Sequence, residues 1–241
     1  MIKRLTTIIG LVAFCAIGVI QNLHAADDEK TKEPKIINPG SWRNAPSDAI
    51  VLFDGSDLDS FVTKSGKPAP WKLVEGDSVE VVRGEGGIFT KKEFGSFQLH
   101  VEWATPENIK GKGQGRGNSG VYLHGRYEVQ VLDSYENSTY PDGQAGAVYG
   151  IAPPLVNASR GPGKWQSYDI IFTAPKKDAS GNITNARVTV LHNGVLIQNN
   201  LEIPRPTAAS PLRGFTEKGP VYLQDHSNPV KYRNIWIREL K

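Results

Sequence analysis

The chain has 241 residues, with 28 Lys and Arg against 25 Asp and Glu, so its formal net charge is +3. This near balance excludes the strongly basic surface that nucleic-acid binding requires, and we expect no nucleic-acid partner.

Residues 1–25 have the pattern of a secretory signal peptide. Lys3 and Arg4 precede an apolar run over residues 5–20, and the small residue Ala25 suits a cleavage site. The apolar run is too short and too poorly flanked to predict a membrane span. The pattern therefore predicts a secreted or periplasmic protein with no stable membrane span after cleavage.

The single cysteine, Cys15, lies inside the apolar run and follows Phe14. An acylated lipoprotein cysteine follows a small residue, so a lipid anchor is not expected. Cleavage after Ala25 leaves a chain without cysteine, and losing Lys3 and Arg4 brings the net charge from +3 to +1. With no disulfide available, the stability of the mature chain must come from burial of apolar side chains.

Two segments follow the predicted cleavage site. Residues 26–46 are polar, contain three prolines and lack periodicity, which indicates a loose N-terminal arm. Residues 47–241, about 195 in number, are ample for one domain with a large core.

Nearly every segment of this domain reads as a short β-strand. The run over residues 94–104 alternates apolar and polar side chains, which is typical of a half-buried strand. Asn193 and Gly194 separate two further runs and predict a hairpin with a type I′ turn. About twelve strands with regular turn signals and no amphipathic helix predict an all-β, two-sheet antiparallel sandwich with one concave, ligand-binding face. The predicted strands cover residues 49–53, 71–74, 78–82, 87–90, 94–104, 165–174, 187–192, 195–198, 221–225 and 232–240.

The stretch 118–133 contains two strand patterns joined at His124-Gly125-Arg126. A period of two separates apolar from polar positions in both strands, so the polar side chains are predicted to share one face. Solvated surface is the simpler explanation for polar strand residues, but Tyr, His, Glu and Gln together favour the floor of a site. The predicted polar face carries Tyr122, His124, Glu128 and Gln130.

The string E-V-Q-V-L-D, residues 128–133, resembles the E-x-D-x-x-E strand of laminarinase-type glycosidases. Such enzymes use paired carboxylates, here Glu128 and Asp133. Positions five apart face opposite sides of a regular strand, so the pair requires a β-bulge near Leu132. Gln130 in place of the middle acid weakens this interpretation further.

Other candidate residues lie elsewhere in the chain. Asp225 and His226 end a predicted strand, where the pair could serve acid-base or metal chemistry or form a turn. Trp165, Tyr122, Tyr135 and Tyr149 could stack on a sugar ring or pack within the protein. The glycine-rich run over residues 111–117 lacks a phosphate-binding pattern and is predicted to be a flexible loop near a groove.

Five motifs together resemble one known family. They are G-N-S-G-V-Y-L-H-G-R-Y-E-V-Q-V-L-D-S at residues 117–134, V-L-F-D-G at 51–55, G-K-W-Q-S-Y-D-I at 163–170, V-L-H-N-G-V at 190–195, and L-Q-D-H with Y-R-N-I-W-I within 223–237. They are similar to the 3-keto-disaccharide hydrolase family, whose activities are 3-keto-glucoside 1,2-lyase and 3-keto-2-hydroxyglucal hydratase. The resemblance covers the whole predicted domain, with Gln166 standing where the family pattern has Asn.

The resemblance implies a concanavalin A-like, laminarinase-like jelly roll in a secreted enzyme that acts on sugars already oxidised at carbon 3. A 3-ketone acidifies the hydrogen on carbon 2, so one base can remove it and the aglycone can leave from carbon 1 by β-elimination. Water can add back later, which gives net hydrolysis. Such a site needs one base, an enediolate stabiliser and an acid, and does not need paired carboxylates.

On this basis we assign roles as a hypothesis. Glu128 is the base or a metal ligand, His124 and His226 are acid-base or enolate-stabilising groups, and Asp225 orients His226. The predicted substrate-binding residues are Gln130, Gln224, Tyr122, Trp165, Arg126 and Tyr149, with Arg233 as a further oxyanion-stabilising candidate.

No cofactor is required by this assignment. A divalent cation on Glu128, His124 and His226 is compatible with the residue types, although no ligand spacing demands one. The expected partner is a 3-dehydrogenase or oxidase that supplies the 3-keto-glucoside substrate. Three alternatives stay open, namely an ordinary glycoside hydrolase using Glu128 and Asp133, a non-catalytic carbohydrate-binding module, and a structural sandwich.

Overall fold

The structure is a computed structural model that describes residues 33–41 and 44–240. The predicted signal peptide and Cys15 lie outside the described residues, as does much of the predicted arm. The chain divides into two units, Met1–Asn38 and Pro39–Lys241. Residues 33–38 of the first unit form no helix or strand, and all the strands belong to the second. In the part of the chain that is described, no helix has the length and apolarity needed to cross a membrane.

The regular secondary structure of the second unit is almost entirely β-strand, which confirms the predicted all-β class. Two single-turn 3₁₀ helices, Gly113–Gly115 and Pro141–Gly143, lie in the loops. In chain order the strands are β1 (Ile50–Phe53), β2 (Phe61–Val62), β3 (Lys72–Val74), β4 (Ser78–Glu80), β5 (Ile88–Thr90), β6 (Phe97–Ala104), β7 (Ser119–Leu123), β8 (Tyr127–Val131), β9 (Gln166–Thr173), β10 (Lys176–Lys177), β11 (Ile183–Thr184), β12 (Ala186–His192), β13 (Val195–Ile203), β14 (Tyr222–Leu223) and β15 (Lys231–Glu239).

The strands form two main antiparallel sheets. The large sheet has the order β13-β12-β9-β6-β15-β4-β3, with β1 pairing with β15, and the small sheet has the order β2-β5-β14-β7-β8. Strands β10 and β11 form a separate short ribbon. All the described pairings are antiparallel, as the predicted sandwich requires.

The period-two alternation of the sequence decides which side chains enter the core. On β6 the predicted apolar residues Phe97, Leu99, Val101 and Trp103 are all buried. The predicted hairpin between β12 and β13 is also present, and Asn193 and Gly194 have φ angles of 52° and 80°. Both angles lie in the left-handed region that a type I′ turn requires. The apolar faces of the two sheets form one continuous core.

The loop after β8 is ordered along the edge of the small sheet. The amide of Gln130 donates to Ala147 O at 3.0 Å, and the amides of Gly146 and Tyr149 donate to Gln130 O and Glu128 O at 2.9 and 3.2 Å. These bonds extend the sheet by one irregular strand beside β8. They also bring the loop tyrosines next to the outer face of the sheet.

A polar bridge crosses the core between the two sheets. Ser119 Oγ on β7 lies 2.6 Å from Gln224 O, beyond the end of β14, and 2.7 Å from Tyr232 OH on β15. The carbonyl can only accept, so the serine proton goes to it and Tyr232 must donate to Ser119. The bridge therefore holds the end of β14, and with it Gln224, in register with both sheets.

We expect the two ends of this bridge to differ in their effect on stability. Tyr232→Phe removes one donor and keeps the ring stacked on Trp71, so it should lower the free energy of unfolding by about 1 kcal/mol. Ser119→Ala leaves the Tyr232 hydroxyl and the Gln224 carbonyl both buried without partners, and should cost roughly 2 kcal/mol or more. Urea unfolding of both variants measures the difference, and an equal or larger cost for Tyr232→Phe would contradict the proton assignment.

Candidate active site

The outer face of the small sheet carries a cluster of polar and aromatic side chains. They come from β7, β8 and β14, at positions that alternate with core residues such as Val121, Val129 and Leu223. Backbone pairing places Tyr122 opposite both Glu128 and Tyr222, and the amide of Gln224 donates to Gly120 O at 3.0 Å. The cluster consists of Gly120, Tyr122, Glu128, Gln130, Tyr222 and Gln224.

Glu128 is the one carboxyl in this cluster and is only 2% exposed. Burial raises its pKa to about 8, because the hydrogen bond from Tyr122 offsets only part of the cost of removing the carboxylate from water. Gln224 Nε2 donates to Tyr122 OH at 2.9 Å, which leaves the phenol proton free to bond to Glu128. The three side chains thus form a chain of hydrogen bonds that ends on the carboxyl group.

Gly120 provides the space for this carboxyl group. A Cβ atom at residue 120 would lie 2.5 Å from Glu128 Oε1 and 2.7 Å from Tyr122 Cε2. Both distances are shorter than any real contact, so any other residue would displace the carboxyl or the phenol. We did not predict a role for Gly120, although strict alternation from Tyr122 already puts it on the same face.

Several buried oxygens in the cluster have no hydrogen-bond partner among the residues that the structure describes. They are Glu128 Oε2, Gln130 Oε1 and Gln224 Oε1, together with Gln144 Oε1 from the adjoining loop. The amide nitrogens are engaged, since Gln130 Nε2 donates to Gln114 Oε1 at 2.9 Å and Gln224 Nε2 donates to Tyr122. An unpaired buried acceptor costs about 1–3 kcal/mol. A set of such acceptors on one face is suited to a ligand that brings several hydroxyl donors.

Tyrosine side chains form the rim of the cluster. Tyr140 and Tyr149 share a hydrogen bond between their hydroxyls, and Tyr222 packs against the ring of Tyr122. Burial is the main cause of the raised pKa of Tyr222 and Tyr140, and the negative charge of Glu128 adds to it. Tyr140 is 44% exposed, so the rim opens to solvent there. Aromatic rings of this kind can stack on the apolar face of a sugar.

The structure therefore brings together five of the predicted site residues, namely Tyr122, Glu128, Gln130, Gln224 and Tyr149. It adds Gly120, Tyr140, Tyr222, Gln114 and Gln144, which were not predicted. For Tyr140 the signal was present, because it was one of the tyrosines spaced along the loop after β8. Gln114 gave no such signal, since its position over the sheet depends on the path of the loop at residues 113–118.

The predicted position of His124 beside Tyr122 is wrong. Strand β7 ends at Leu123, and His124 has a φ of 53°, which turns its ring toward the core. There the ring packs on Phe97 and Phe172, and Nε2 forms a hydrogen bond with Gly95 O at 2.9 Å. Burial lowers the pKa of His124, so the neutral ring is favoured. This histidine stabilises the fold and does not face Glu128.

The prediction that Asp225 orients His226 is also wrong. Asp225 Oδ2 accepts from the amides of Gly84 and Gly86 at 2.7 and 3.1 Å, and Oδ1 accepts from Ser227 N at 2.8 Å. The carboxylate thus closes a loop, and His226 is exposed to solvent. Across the described residues, no three His, Cys, Asp or Glu side chains are close enough to hold a metal ion. The predicted cation ligands Glu128, His124 and His226 are not brought together.

Arg126 and Asp133 do not join Glu128. Arg126 donates to Gly214 O, Arg213 O and His124 O at 2.8, 3.0 and 2.7 Å, and so fastens the loop that precedes β14. The register between β7 and β8 is regular through Val131, the last residue of β8. Asp133 instead pairs with Arg116, Nε to Oδ2, at 2.6 Å. The arrangement needed for a pair of catalytic carboxylates, Glu128 with Asp133, is therefore absent.

Trp165 lies apart from the cluster. It directly precedes β9, an interior strand of the large sheet, and the guanidinium of Arg233 lies 4.0 Å from the centre of its indole ring. Trp165 and Arg233 therefore do not lie on the Glu128 face, where a sugar contact was predicted for them.

A β-sandwich whose sheet face combines an aromatic rim, amide side chains and a single buried carboxyl has the features of a carbohydrate-active protein. The chain matches the 3-keto-alpha-glucoside-1,2-lyase-like domain over residues 48–238, and it belongs to this family. The predicted family is thereby confirmed.

Solved structures agree with this assignment. A candidate glycosyl hydrolase from Parabacteroides distasonis ATCC 8503 is 45% identical, with a TM-score of 0.81 over 87% of this chain and 93% of that one. A second candidate glycosyl hydrolase from the same organism is 18% identical, with a TM-score of 0.61 over 80% of this chain and 94% of that one, and shares the fold. Comparison with curated proteins finds no match.

The raised pKa of Glu128 has a consequence for stability. The folded value of about 8 exceeds the ordinary 4.5, so the group's contribution is complete below pH 4.5 and is lost as pH rises through 8. Glu128→Gln should therefore become more stable than wild type as the pH rises across this window, by up to about 1.4 kcal/mol per pH unit.

The measurement is urea unfolding at pH 5, 7 and 9. The matched control is Glu75→Gln, which neutralises an exposed carboxyl. If the control and Glu128→Gln changed alike with pH, the buried carboxyl could not have the raised pKa.

Proposed function

We propose that this protein is a secreted or periplasmic enzyme that cleaves 3-keto-glycosides by proton abstraction at carbon 2 and β-elimination of the aglycone. The observation that carries the proposal is the buried Glu128 carboxyl, with one unpaired oxygen, among unpaired amide oxygens on a tyrosine-rimmed face. Family membership supports a carbohydrate substrate.

A single carboxyl on the face favours elimination over ordinary glycoside hydrolysis. Two-carboxylate hydrolysis needs a second acid a few ångströms across the scissile bond. The nearest candidate by sequence, Asp133, is paired with Arg116 and does not share the face. Elimination beside a 3-ketone needs only one base, because the ketone already makes the hydrogen on carbon 2 acidic.

Glu128 is the group suited to be that base. Tyr122 donates to its carboxyl, and Oε2 has no partner and can accept the proton from carbon 2. A pKa near 8 makes this carboxylate a much stronger base than an ordinary glutamate, and proton transfer is most efficient when the pKa lies near the working pH. As a consequence, the Glu128 carboxyl is ionised in only a fraction of the enzyme molecules at neutral pH.

The tyrosine pair is suited to the other proton transfer. When the bond from carbon 1 to the glycosidic oxygen breaks, its electron pair goes to the aglycone oxygen, which needs a proton. The hydroxyls of Tyr140 and Tyr149 share one hydrogen bond at the open rim and can supply a proton there. They take the role that we first assigned to His124 and His226. The product is a 1,2-unsaturated 3-keto sugar, and addition of water across its double bond gives the free 3-keto sugar.

Substrate hydroxyls can donate hydrogen bonds to the amide oxygens of Gln130, Gln224 and Gln144, which have no partner among the described residues. The substrate itself implies an earlier oxidation at carbon 3 by a dehydrogenase or oxidase. No residue set at this face calls for a metal ion in the proposed steps.

The test is incubation with a 3-keto-glucoside and with its unoxidised parent, followed by ultraviolet absorbance for the unsaturated keto sugar. Wild type should turn over only the oxidised compound, and Glu128→Gln should lose at least a hundredfold in kcat/KM while folding normally. Glu75→Gln should keep wild-type activity. Binding of both sugars without turnover of either would identify a carbohydrate-binding module instead.

The pH dependence tests the role of Glu128 separately. A base works in its ionised form, so kcat/KM should rise with pH, reach half its maximum near pH 8, the pKa of Glu128 in the free protein, and level off above that pH. A profile that falls through this range would mean that Glu128 acts in its protonated form, as an acid.

A further inference from the structure

A cavity separate from the Glu128 face opens at one end of the sandwich, among loops that join strands of the two sheets. Its volume is about 1020 Å³, and its wall includes Thr105 after β6, Asp133 after β8, Trp165 before β9 and Asn228 before β15. Glu128 does not line it. The volume is at the upper end of the range for small-molecule sites.

Trp165 forms an aromatic wall of this cavity. Arg233 covers one face of the indole at 4.0 Å, and Trp165 lines the cavity whereas Arg233 does not. Among the described residues, none accepts a hydrogen bond from the indole N–H. The ring thus offers an apolar surface and an unused donor.

The position of Trp165 is held by a network behind it. Arg233 Nε bonds to Glu102 Oε2 at 2.7 Å, and Asn234 Nδ2 donates to Glu102 Oε1 at 2.9 Å. Burial alone would raise the pKa of Glu102, but hydrogen bonds from His100, Asn234 and Arg233 lower it to about 2. Glu102 is therefore ionised at every working pH, and the cation over the indole is kept in place. A stacking surface that is fixed before binding loses little conformational entropy when a ligand arrives.

Asp133 supplies an acceptor in the wall of the same cavity. Its side chain is 4% exposed, Oδ2 is bound to Arg116, and Oδ1 has no partner. Gly117 packs closely beside it, since a Cβ atom there would lie 3.1 Å from Asp133 Cβ and 2.8 Å from Thr105 Cβ, so the position of Asp133 is fixed. A neutral hydroxyl donor satisfies Oδ1 without bringing another charge into the buried ion pair.

We propose that this cavity is a second saccharide-binding site, in which a sugar ring stacks on Trp165 and a sugar hydroxyl donates to Asp133. An aromatic surface and a buried acceptor in the wall of one cavity match a ligand with one apolar face and hydroxyls at its edge. The site does not depend on Glu128 acting as a base. It would hold a sugar unit that lies away from the reacting bond, or a separate saccharide.

The test follows the indole N–H resonances of the Glu128→Gln protein by nuclear magnetic resonance during titration with unoxidised maltotetraose, cellotetraose and laminaritetraose. Loss of one signal in Trp165→Phe assigns Trp165. We expect that signal to shift with at least one of the three sugars. Trp71 is the internal control, because its indole N–H is already bonded to Gly86 O at 2.9 Å and should not respond.

Three variants give the expected affinities. Trp165→Ala should weaken binding at least tenfold in calorimetry, whereas Trp165→Phe keeps a stacking ring and should stay within about threefold of the parent. Asp133→Asn keeps the shape and should weaken binding about tenfold. It also weakens the buried pair with Arg116, so its affinity is measured below the onset of its thermal unfolding. Unchanged affinity in Trp165→Ala would overturn the proposal.

Other outcomes separate this proposal from the proposed function. A Trp165 signal that responds to calcium chloride and to none of the sugars would show a cation site and overturn it. If wild type fails to turn over 3-keto-glucosides while the Trp165 signal still shifts with sugar, the elimination reaction fails and this site stands. If turnover occurs and no sugar shifts the signal, the elimination reaction stands and this second site is ruled out.

Discussion

The burial of one carboxyl group, Glu128, is the constraint on which the rest of the site depends. The small sheet places it opposite Tyr122, over the space left by Gly120, with almost no exposure to water. Removal from water raises its pKa, and the Tyr122 hydroxyl offsets this only in part. A protein keeps such an unfavourable group where a strong base is of use, and this is why the proposed chemistry is built around it.

The same period-two pattern builds both the core and the site. On β7 and β8, Val121 and Val129 enter the core, while Tyr122 and Glu128 point outward from neighbouring positions. Packing of the inner face in the core therefore fixes the positions of the side chains on the outer face. The bridge from Ser119 to Tyr232 and Gln224 O links the two sheets directly beneath the site.

Local alternation was a sufficient guide wherever the backbone stays extended. It predicted the shared face of Tyr122, Glu128 and Gln130, and it predicted that Asp133 would leave that face without a bulge. It failed at His124, because one left-handed residue after Leu123 reverses the direction of the side chain. It also failed at Asp225, whose carboxylate binds the amides of Gly84 and Gly86, some 140 residues earlier in the chain.

By itself the sequence determined the all-β class, the hairpin turn at Asn193 and Gly194, the family and the strand that carries Glu128, because strand periodicity, turn chemistry and motif strings are local properties. Only the tertiary structure decided which loop residues cover the site, where Trp165 lies, and that Glu128 is buried deeply enough to have a raised pKa. These three features depend on contacts between segments that are distant in the sequence. Strand pairing fixes the positions of the loops and of Trp165, and desolvation fixes the pKa of Glu128. Tyr122, Glu128 and Gln130 share the face that alternation predicted, and His124 does not. The tight space at Gly120 and the bond from Gln224 to Tyr122 could be identified only in the folded sandwich.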